Sequence, residues 1–459
     1  MSRLVVIGDL LLDRDIDGVV DRLCPDAPAP VVDERTVVER PGGAGLAAVL
    51  GRAAGHETTL LTGVAGDGPG ASLRRAVTEA GVHLVAADHD GTTVEKTRIR
   101  VDGRSVLRLD RGDGGTIGPL PHHVHDLVAG ADAVLLSDYG RGMSSHPEVR
   151  RLVEQALTRN TPVVWDPHPR GAAPEHGTTL VTPNRDEAVG FDLQAGNDPA
   201  EAGNVVARMS TVAERLRRQW RVRSVAVTLG ERGAALAHGA TPFVVPSDRL
   251  DSISDTCGAG DAFAAAAAGA LADGALVSEA VEHAVATAGA FVARGGAGAL
   301  RYAGPPGAEP SPPSDDAAPG TVVATGGCFD VLHRGHVATL QRARLLGDRL
   351  VVLLNSDASV RRLKGEGRPV QPAEDRAAVL RSLACVDEVL VFDDDTPVNT
   401  LRRLRPDIFV KGGDYGAVEI PESDVVSEWG GAVVTVPFLP GRSTTNIIHT
   451  IERGGSHVV

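Results

Sequence analysis

Short apolar runs bounded by turn residues alternate with amphipathic segments along most of the chain. In residues 1–300, β-branched and aliphatic runs predict parallel strands that are buried on both faces. The amphipathic segments between them, such as 148–159 and 205–219, have the spacing of helices. Together these elements predict an α/β fold with a layered sheet. The predicted strands are residues 4–7, 133–137, 162–166, 179–182 and 224–228.

Two stretches of the first part, 18–38 and 92–110, have a different pattern of apolar and polar residues. Apolar and polar residues alternate there, which is typical of antiparallel strands with one exposed face. We expect them to form a small β lid over one end of the sheet.

The α/β pattern repeats on a smaller scale after residue 320. It predicts a smaller doubly wound, Rossmann-like domain, whose ligand lies beyond the carboxyl ends of the strands. The predicted strands are 321–325, 349–355, 388–392 and 408–411, and the predicted helices run through 340 and over 372–383 and 398–404.

Residues 303–320, AGPPGAEPSPPSDDAAPG, separate the two parts. This segment is rich in Pro, Gly, Ser and acidic residues and has no apolar periodicity. It cannot bury a face, so we interpret it as a linker. We therefore expect one domain over 1–302 and a second over 321–459.

Composition narrows the class of protein. A chain of 459 residues is longer than one hydrophobic core usually supports, and with 3% aromatic residues its cores must consist of Ala, Val and Leu. The net charge of −14 argues against nucleic-acid or anionic-membrane partners. Four scattered cysteines favour a reducing compartment. No apolar run suits a signal peptide or a membrane span, so we expect a cytoplasmic protein.

The segment 255–261, DTCGAGD, is the sharpest signal of the first part. Gly258, Ala259 and Gly260 let backbone N–H groups turn inward at a helix start, where the helix dipole favours a phosphate. Asp261 follows in the first helical turn, where it can accept the proton of an attacking hydroxyl. A plain glycine-rich turn before an acidic residue explains this segment equally well when it is taken alone.

Further residues that could contact a nucleotide or a sugar lie at predicted strand ends and helix starts. A Gly-Gly pair precedes a predicted helix over 44–54, and polar or glycine residues follow two predicted strands. Each is more simply structural when taken singly, and only their order along the chain indicates a nucleotide-dependent kinase. They are Gly42, Gly43, Asn184, Glu187, Thr228 and Gly230.

In this order the residues resemble the ribokinase-like (PfkB) carbohydrate kinases over 1–300. The resemblance implies that Asp261 is the catalytic base and that Gly258, Ala259 and Gly260 form the anion hole. It also implies that Glu187 holds Mg²⁺ through water and that Asp255 lies at a monovalent-cation loop. Its implied ATP contacts are Asn184, Glu187, Thr228 and Gly230, and its implied sugar contacts are Asp13, Gly42 and Gly43.

One position departs from that family. Leu46 stands where the family usually has a sugar-binding Asn, and leucine cannot replace the hydrogen bonds of an amide. Either a neighbour supplies the contact, or the sugar differs, or the kinase half is weakened.

The second part carries its own motif directly after its first predicted strand. In residues 326–336, GGCFDVLHRGH, the glycines give a tight turn, and His333 and His336 share one face of a helix start. Two imidazoles at the positive end of a helix suit the charge that builds on an α-phosphate. Zinc is a competing interpretation of the histidines, but only Asp330 is nearby as a further ligand. Incidental surface histidines are a second, and they leave the glycines unexplained.

Together with STT at 443–445, this motif resembles the cytidylyltransferase-like nucleotidyltransferases over 321–452. The resemblance implies that a sugar 1-phosphate attacks the α-phosphate of ATP without a covalent intermediate. His333 and His336 then stabilise the transition state, with Mg²⁺ assisting. The implied ATP-binding residues are Gly327, Phe329, Asp330, Lys364, Lys411, Ser443, Thr444 and Thr445.

The fusion of the two families in this order resembles the bifunctional enzymes of ADP-heptose synthesis over nearly the whole chain. Strings such as PDAPAPVV, LLSDYGRG and NSDASVRRLKGEGRPV carry this resemblance. It implies phosphorylation of D-glycero-D-manno-heptose 7-phosphate at C1, removal of the 7-phosphate by a separate phosphatase, and adenylyl transfer to the heptose 1-phosphate. The implied cations for the 7-phosphate are Lys96, Arg98, Arg108 and Arg141.

Two alternatives remain open. His168 stands where such enzymes often carry Lys, so the sugar phosphate can differ, and the second domain can use CTP or GTP in place of ATP. Alternatively, the first domain is a binding or dimerisation module and only the second is catalytic. The lid strands also suggest a homodimer.

Overall fold

The computed structural model describes residues 1–101, 104–113, 115–198, 204–248, 256–299, 320–413 and 420–437. They divide into two compact units. The first comprises Met1–Phe191, Leu216–Thr228 and Leu250–Pro313, and the second comprises Asp192–Arg215, Leu229–Arg249 and Ser314–Val459. The predicted linker lies outside the described residues except for Gly320, and the predicted domain boundaries stay a prediction.

Within the described residues, 18 strands are assigned. They are β1 Arg3–Gly8, β2 Leu10–Leu23, β3 Pro30–Gly43, β4 Glu57–Ala65, β5 His83–His89, β6 Glu95–Val101, β7 Arg104–Arg111, β8 Ala133–Ser137, β9 Val163–Asp166, β10 Leu180–Val181, β11 Val225–Thr228, β12 Ala234–Ala237, β13 Phe243–Val245, β14 Val322–Gly327, β15 Arg349–Asn355, β16 Glu388–Phe392, β17 Ile408–Gly412 and β18 Ala432–Val436.

The same part of the chain contains 13 α-helices and three short 3₁₀ turns, Met143–Ser145, Gly230–Arg232 and Gly296–Ala299. The α-helices are α1 Ala44–Ala53, α2 Gly68–Glu79, α3 Val124–Ala129, α4 Pro147–Thr158, α5 Arg185–Gln194, α6 Val205–Trp220, α7 Ala259–Ala272, α8 Val277–Ala293, α9 Arg334–Leu345, α10 Asp357–Lys364, α11 Ala373–Arg381, α12 Val398–Leu404 and α13 Glu422–Ser427.

The first unit is built on a parallel sheet in the order β11-β10-β9-β8-β1-β4-β5. Its central strands are apolar on both faces, so β1 and β8 are buried almost throughout. Because the strands are parallel and run in the same direction, the residues that follow β1, β8 and β9 meet at one edge of the sheet.

Small residues let the helices of this unit pack closely. Helix α7 packs against α1 and α8, and alanine is the commonest residue type on its buried face. At Gly269, a Cβ atom would lie 2.4 Å from Nε2 of His56, so no larger residue fits. The expected core of Ala, Val and Leu is therefore present.

A second sheet of four strands, in the order β3-β2-β6-β7, forms the predicted lid. The pairs β2–β3 and β6–β7 are antiparallel, as expected, whereas β2 and β6 pair in parallel. The parallel register aligns Asp13 with Lys96 and Asp15 with Arg98. Opposite charges on neighbouring strands stabilise this pairing.

The second unit contains a parallel sheet in the order β16-β15-β14-β17-β18, which is the doubly wound arrangement predicted for it. Its strands β15 and β16 and helix α12 have the predicted bounds. Phe409, Val351, Leu353 and Val426 lie in its core. Among the described residues, no helix combines the length and the apolar character that a membrane crossing needs.

Candidate active sites

The glycine turn of the first unit leads into α7. Gly258 precedes the helix with φ 80°, a left-handed conformation that favours glycine, and a Cβ there would lie 2.6 Å from Leu46 Cδ2. Ala259 and Gly260 form the start of α7, where the first backbone N–H groups have no partner within the helix. Asp261 follows in the first turn with 5% of its surface exposed. The structure thus places the predicted anion turn and the predicted base side by side.

The carboxyl group of Asp261 lies in a strongly desolvating environment. Burial raises its pKa to about 7, although the Tyr139 hydroxyl and the positive charge of Lys96 act in the opposite direction. The Tyr139 hydroxyl donates to both carboxylate oxygens at 2.9 Å. A carboxylate whose pKa lies near neutrality is suited to accept a proton at the pH of the cell.

Two of the predicted sugar contacts, Asp13 and Lys96, lie close enough to this carboxylate for their charges to act on it. A Cβ at Gly42 would lie 2.5 Å from Oδ2 of Asp13, and one at Gly43, where φ is 60°, would lie 2.6 Å from the Asp9 carbonyl oxygen. The Lys96 ammonium lies 4.4 Å from the ring centroid of Tyr139, and its pKa is lowered by burial. The absence of a side chain therefore lets the backbone approach Asp13 closely at Gly42 and the Asp9 carbonyl oxygen closely at Gly43.

The two predicted lid arginines differ in their surroundings. Arg98 lies 3.3 Å from Oδ1 of Asp13, and its Nη2 donates to Sγ of Cys257 at 3.0 Å, so it connects the lid to the glycine turn. Arg108 forms an exposed pair with Asp110 on the same strand, β7. In the structure, Arg98 lies within the site and Arg108 lies at its solvent side.

A group of carboxylates follows β8, β9 and β10. Asn184 receives a hydrogen bond from the Glu187 N–H on its side chain, and its own N–H donates to Glu187 Oε2 at 2.9 Å. Burial and neighbouring negative charge raise the pKa values of Glu187, Asp166 and Asp138, that of Asp138 to about 6. Asp166 is also influenced by Asp261, so this group adjoins the predicted base.

The remaining predicted ATP contacts lie at strand ends. Thr228 ends β11 and pairs with Asn184 in an isolated bridge. Gly230, in the second unit, begins a 3₁₀ turn with φ 61°. Asp255 lies outside the described residues, so the predicted monovalent-cation site stays a prediction.

The pKa of Asp261 predicts how kinase activity depends on pH. Only the deprotonated carboxylate accepts a proton, so kcat/KM should fall about tenfold per unit below pH 7 and level off above it. Initial rates with both substrates below their KM values measure this. Binding of the sugar phosphate over the same range is the control, since phosphate monoesters titrate near pH 6. A flat profile from pH 5 to 8 would contradict the assignment.

Leu46 has an apolar role in the structure. It is 2% exposed and packs with Ala262, Phe291 and Ala297 beneath the glycine turn. The residue therefore supports the start of α7.

We expect Leu46→Asn to destabilise the first unit, because the amide would be buried in that apolar cluster. The expected loss is about 2–4 kcal/mol of unfolding free energy, measured by denaturant unfolding. Leu50→Asn, one turn later and only partly buried, serves as the control with a smaller loss. An unchanged stability together with a faster kinase would indicate that position 46 faces the sugar instead.

The histidine motif of the second unit lies between β14 and α9. His333 is the residue before α9, and its Nδ1 accepts from the Gly335 and His336 N–H groups. The rings of His333 and His336 stack with centroids 3.8 Å apart, and Phe329 packs against His336 at 5.2 Å. A Cβ at Gly327 would lie 3.1 Å from the Phe329 ring. The sequence motif therefore forms one compact cluster.

The hydrogen bonds define which ring nitrogen of His333 carries the proton. Because Nδ1 of His333 is an acceptor, the neutral ring carries its proton on Nε2 and presents a donor. Burial and the neighbouring His333 lower the pKa of His336 to about 4. Its Nδ1 is buried and has no hydrogen-bond partner within the described residues. A buried imidazole of this kind is ready to bind a ligand.

Asp330 has a structural role. It is 1% exposed and accepts from Arg368 and from the Val370 and Gln371 N–H groups, at 2.7 and 3.1 Å for the latter two. These bonds fix the 368–371 loop beside the histidine cluster. The predicted contact of Asp330 with ATP stays a prediction.

The predicted lysines lie at element ends. Lys364 ends α10, and Lys411, on β17, pairs with Glu422 at 2.8 Å. Glu422 therefore neutralises Lys411 until a phosphate competes for it. Ser443, Thr444 and Thr445 lie outside the described residues. Within the described part of the chain, no cluster of three or more His, Cys, Asp or Glu side chains is arranged as a direct metal site.

The structure adds several residues to these sites that the sequence motifs did not indicate. Asp138, Tyr139 and Asp166 directly follow or end β8 and β9, and their position at the carboxyl edge was the available signal. Arg376 is fully buried on α11, and its guanidinium donates to the carbonyl oxygens of Cys328 and Asn355. No local motif marks it, because its partners are distant in sequence.

Comparisons with known families show which families the two parts of the chain belong to. A model of the pfkB family carbohydrate kinases matches residues 1–301, and a cytidylyltransferase-like model matches residues 324–449. The structure of Arabidopsis thaliana ribokinase complexed with ribose and ATP aligns with a TM-score of 0.51 at 20% identity, covering 65% of this chain and 95% of that chain. The predicted fold class, a ribokinase-like α/β domain followed by a nucleotidyltransferase domain, is confirmed.

Relatives match the chain over its full length. The bifunctional protein HldE of Streptomyces coelicolor is 50% identical over 98% of this chain and 97% of its own. The bifunctional protein HldE of Caulobacter vibrioides is 37% identical over 97% of this chain and 96% of its own. The chain belongs to this family of bifunctional HldE proteins, and it is a bifunctional enzyme with a kinase part and a nucleotidyltransferase part.

Proposed function

We propose that the protein phosphorylates D-glycero-D-manno-heptose 7-phosphate at C1 with ATP and transfers an adenylyl group from ATP to heptose 1-phosphate. The first reaction belongs to the domain over 1–302 and the second to the domain over 321–459. The observation that carries the proposal is that two helix starts, those of α7 and α9, each lie beside a reactive cluster. Full-length similarity to bifunctional HldE proteins supports the pairing of these two activities.

In the kinase reaction, Asp261 takes the proton of the C1 hydroxyl as that oxygen attacks the γ-phosphorus of ATP, and ADP leaves. The N–H groups at Gly258 and Gly260 stabilise the transferring phosphoryl group, because they lie at a helix start. The Ala259 N–H already donates to the Thr256 carbonyl oxygen at 3.1 Å, so it contributes only if that bond opens. Gly42, Gly43 and Asp13 bound the space for the sugar. This arrangement supplies positioning and charge neutralisation, which are the main contributions of a protein to phosphoryl transfer.

Families of these two kinds use ATP and typically Mg²⁺. The carboxylate group of Asp138, Asp166 and Glu187 fits a magnesium ion held through water, because its members are oxygen donors whose protonation is favoured by burial and mutual repulsion. When bound, Mg²⁺ neutralises phosphate charge. Asn184 orients Glu187 for this task through their reciprocal hydrogen bonds.

In the transferase reaction, the sugar 1-phosphate attacks the α-phosphorus of ATP and pyrophosphate leaves. His333 donates from Nε2, and His336 offers its buried ring to the same phosphate. Lys364 and Lys411 are the proposed cations for the triphosphate, with Ser443, Thr444 and Thr445 as further contacts. Phe329 packs against His336 in this cluster, and Gly327 lies against the Phe329 ring.

The distal phosphate of the sugar is assigned to the cations around Tyr139. Burial lowers the pKa of His168, and the positive charges of Arg170, Lys96 and Arg141 lower it further, so these cations lie near His168. A phosphate bound among them would neutralise this excess of positive charge. The neutral His168 then leaves most of the binding to Lys96 and the arginines, including Arg98 and Arg108.

Three further assignments complete the proposal. Four free cysteines support a reducing, cytoplasmic location. A homodimer is supported by exposed apolar side chains on the lid sheet, namely Val37, Val106, Leu107 and Leu109. The product of the first reaction carries two phosphates, so a separate phosphatase must act before the second.

The nucleotide preference tests the proposed function. We expect pyrophosphate release from heptose 1-phosphate with ATP, and little with CTP or GTP. In a second assay, heptose 7-phosphate should give ADP and a sugar bisphosphate. A preference for CTP would remove the adenylyltransferase assignment. ATP consumption at background level in the second assay would favour a first domain that only binds or dimerises.

A further inference from the structure

The Tyr139 side chain connects two elements of the kinase site. It follows β8 at the carboxyl edge of the sheet, and its hydroxyl donates to Oδ1 and Oδ2 of Asp261 at 2.9 Å each. Asp261 is on α7, so the contact joins a loop of the sheet to the helix that carries the proposed base. A carboxylate held through both oxygens cannot rotate freely about its last bond.

Tyr139 is itself fixed by a buried carboxylate. Asp9, which follows β1, accepts from the N–H groups of Tyr139, Arg141 and Met143 at 2.9, 3.0 and 3.1 Å. These three bonds shape the loop after β8. Gly43 lets the loop approach, because a Cβ there would lie 3.2 Å from Cδ2 of Tyr139. The hydroxyl position is therefore set by β1, β8 and the end of β3.

Four ionisable groups from four neighbouring segments act on Asp261, whereas α1 and α8 contribute apolar residues beside it. The ionisable groups are Asp13 of β2, Lys96 of β6, the Tyr139 hydroxyl after β8, and Asp166 of β9. Tyr139 and Lys96 favour the ionised carboxylate, whereas burial and the two acidic groups oppose it. The Tyr139 hydroxyl keeps its own proton, since burial and Asp261 raise its pKa well above the usual value.

We propose that Tyr139 is a positioning residue of the kinase reaction, whose hydroxyl holds the Asp261 carboxylate oriented towards the sugar hydroxyl, and that Asp9 holds Tyr139 in turn. This inference rests on the proposed function, in which Asp261 is the base. Tyr139 takes no proton in the reaction. The proton of the sugar hydroxyl goes to Asp261, the new O–P bond forms at the γ-phosphorus, and the bond to ADP breaks.

Tyr139→Phe tests the inference, because it keeps the ring beneath Lys96 and removes one hydroxyl. We expect kcat/KM of the full-length kinase to fall roughly fivefold at pH 7, which corresponds to a rise of about one unit in the pKa of Asp261 from its value of about 7. The acidic limb of the pH profile should move up by the same amount, and the rate should recover towards wild type by pH 9. Nucleotidyl transfer by the same protein monitors folding and should not change.

Two further variants, Asp9→Asn and Asp261→Asn, distinguish a wrong positioning role for Tyr139 from a wrong base assignment for Asp261. Asp9→Asn should shift the profile in the same direction, since it releases the loop that holds Tyr139. An unshifted profile in Tyr139→Phe, or an equal loss at every pH, would overturn the positioning role while a dead Asp261→Asn still supports the base. A kinase that survives Asp261→Asn would overturn the base assignment and the positioning role together.

Discussion

Asp261→Asn should abolish phosphorylation of the sugar and leave nucleotidyl transfer intact. The amide keeps the size of the side chain and its contact with Tyr139 but cannot accept the proton of the attacking hydroxyl. We expect kcat of the kinase to fall by about 10²–10⁴-fold, the usual contribution of a general base. Coupled measurement of ADP release with heptose 7-phosphate gives the kinase rate, and pyrophosphate release with heptose 1-phosphate gives the transferase rate.

Asp273→Asn is a matched control for this variant. Asp273 follows the opposite end of α7 and is exposed, with its carboxylate bound to the Ser2 hydroxyl at 2.7 Å. Its substitution should leave both rates near those of the wild type. If Asp261→Asn lost both activities, the variant would have damaged the fold, or the two sites would depend on each other, and their proposed independence would be wrong.

His336→Ala should have the opposite effect, abolishing nucleotidyl transfer while phosphorylation continues. The ring of His336 is buried against His333 and Phe329, and its Nδ1 has no partner in the described structure. Removing a group that stabilises charge on the α-phosphate should lower kcat by about 10²–10³-fold. Steady-state pyrophosphate release from heptose 1-phosphate and ATP measures this loss.

His336 is a cleaner target than His333, because Nδ1 of His333 also caps α9 and its removal would affect the helix as well as the chemistry. His283→Ala, at an exposed position of α8, is the control for loss of a histidine and should change neither reaction. A His336→Ala variant with wild-type transferase activity would contradict the assigned role of the ring.

Much of the fold was predictable because its strands are continuous apolar runs. Strands β8, β15 and β16 have the predicted bounds, since a buried parallel strand needs apolar residues on both faces. Helix α10 escaped prediction because its sequence, DASVRRLK, is dominated by charge, although Ser356 caps its start. The parallel pairing of β2 with β6 also escaped, because pairing between distant strands leaves no local pattern.

The residues of the two sites also differ in whether the sequence alone could predict them. Asp261 and His336 belong to contiguous motifs, so their neighbourhood was visible in the sequence. Tyr139 contacts Asp261 across 122 positions, and Arg376 reaches Cys328 across 48. Contacts of this kind depend on the tertiary fold, in which parallel strands bring separate loops to one edge. Leu46 illustrates the converse, because its contacts with Phe291 and Ala297 explain a residue that the family pattern left open.

The mass of the final product tests the central claim most directly. Purified protein supplied with heptose 7-phosphate, ATP and a phosphatase that removes the 7-phosphate should convert the sugar to ADP-heptose. The kinase reaction should stop in the Asp261→Asn variant, and the transferase reaction should stop in the His336→Ala variant. Without the phosphatase, the sugar phosphorylated at both C1 and C7 should accumulate, which would show that the kinase reaction has taken place. Absence of any nucleotide sugar from the complete mixture, with wild-type protein, would contradict the assignment of two active sites to this chain.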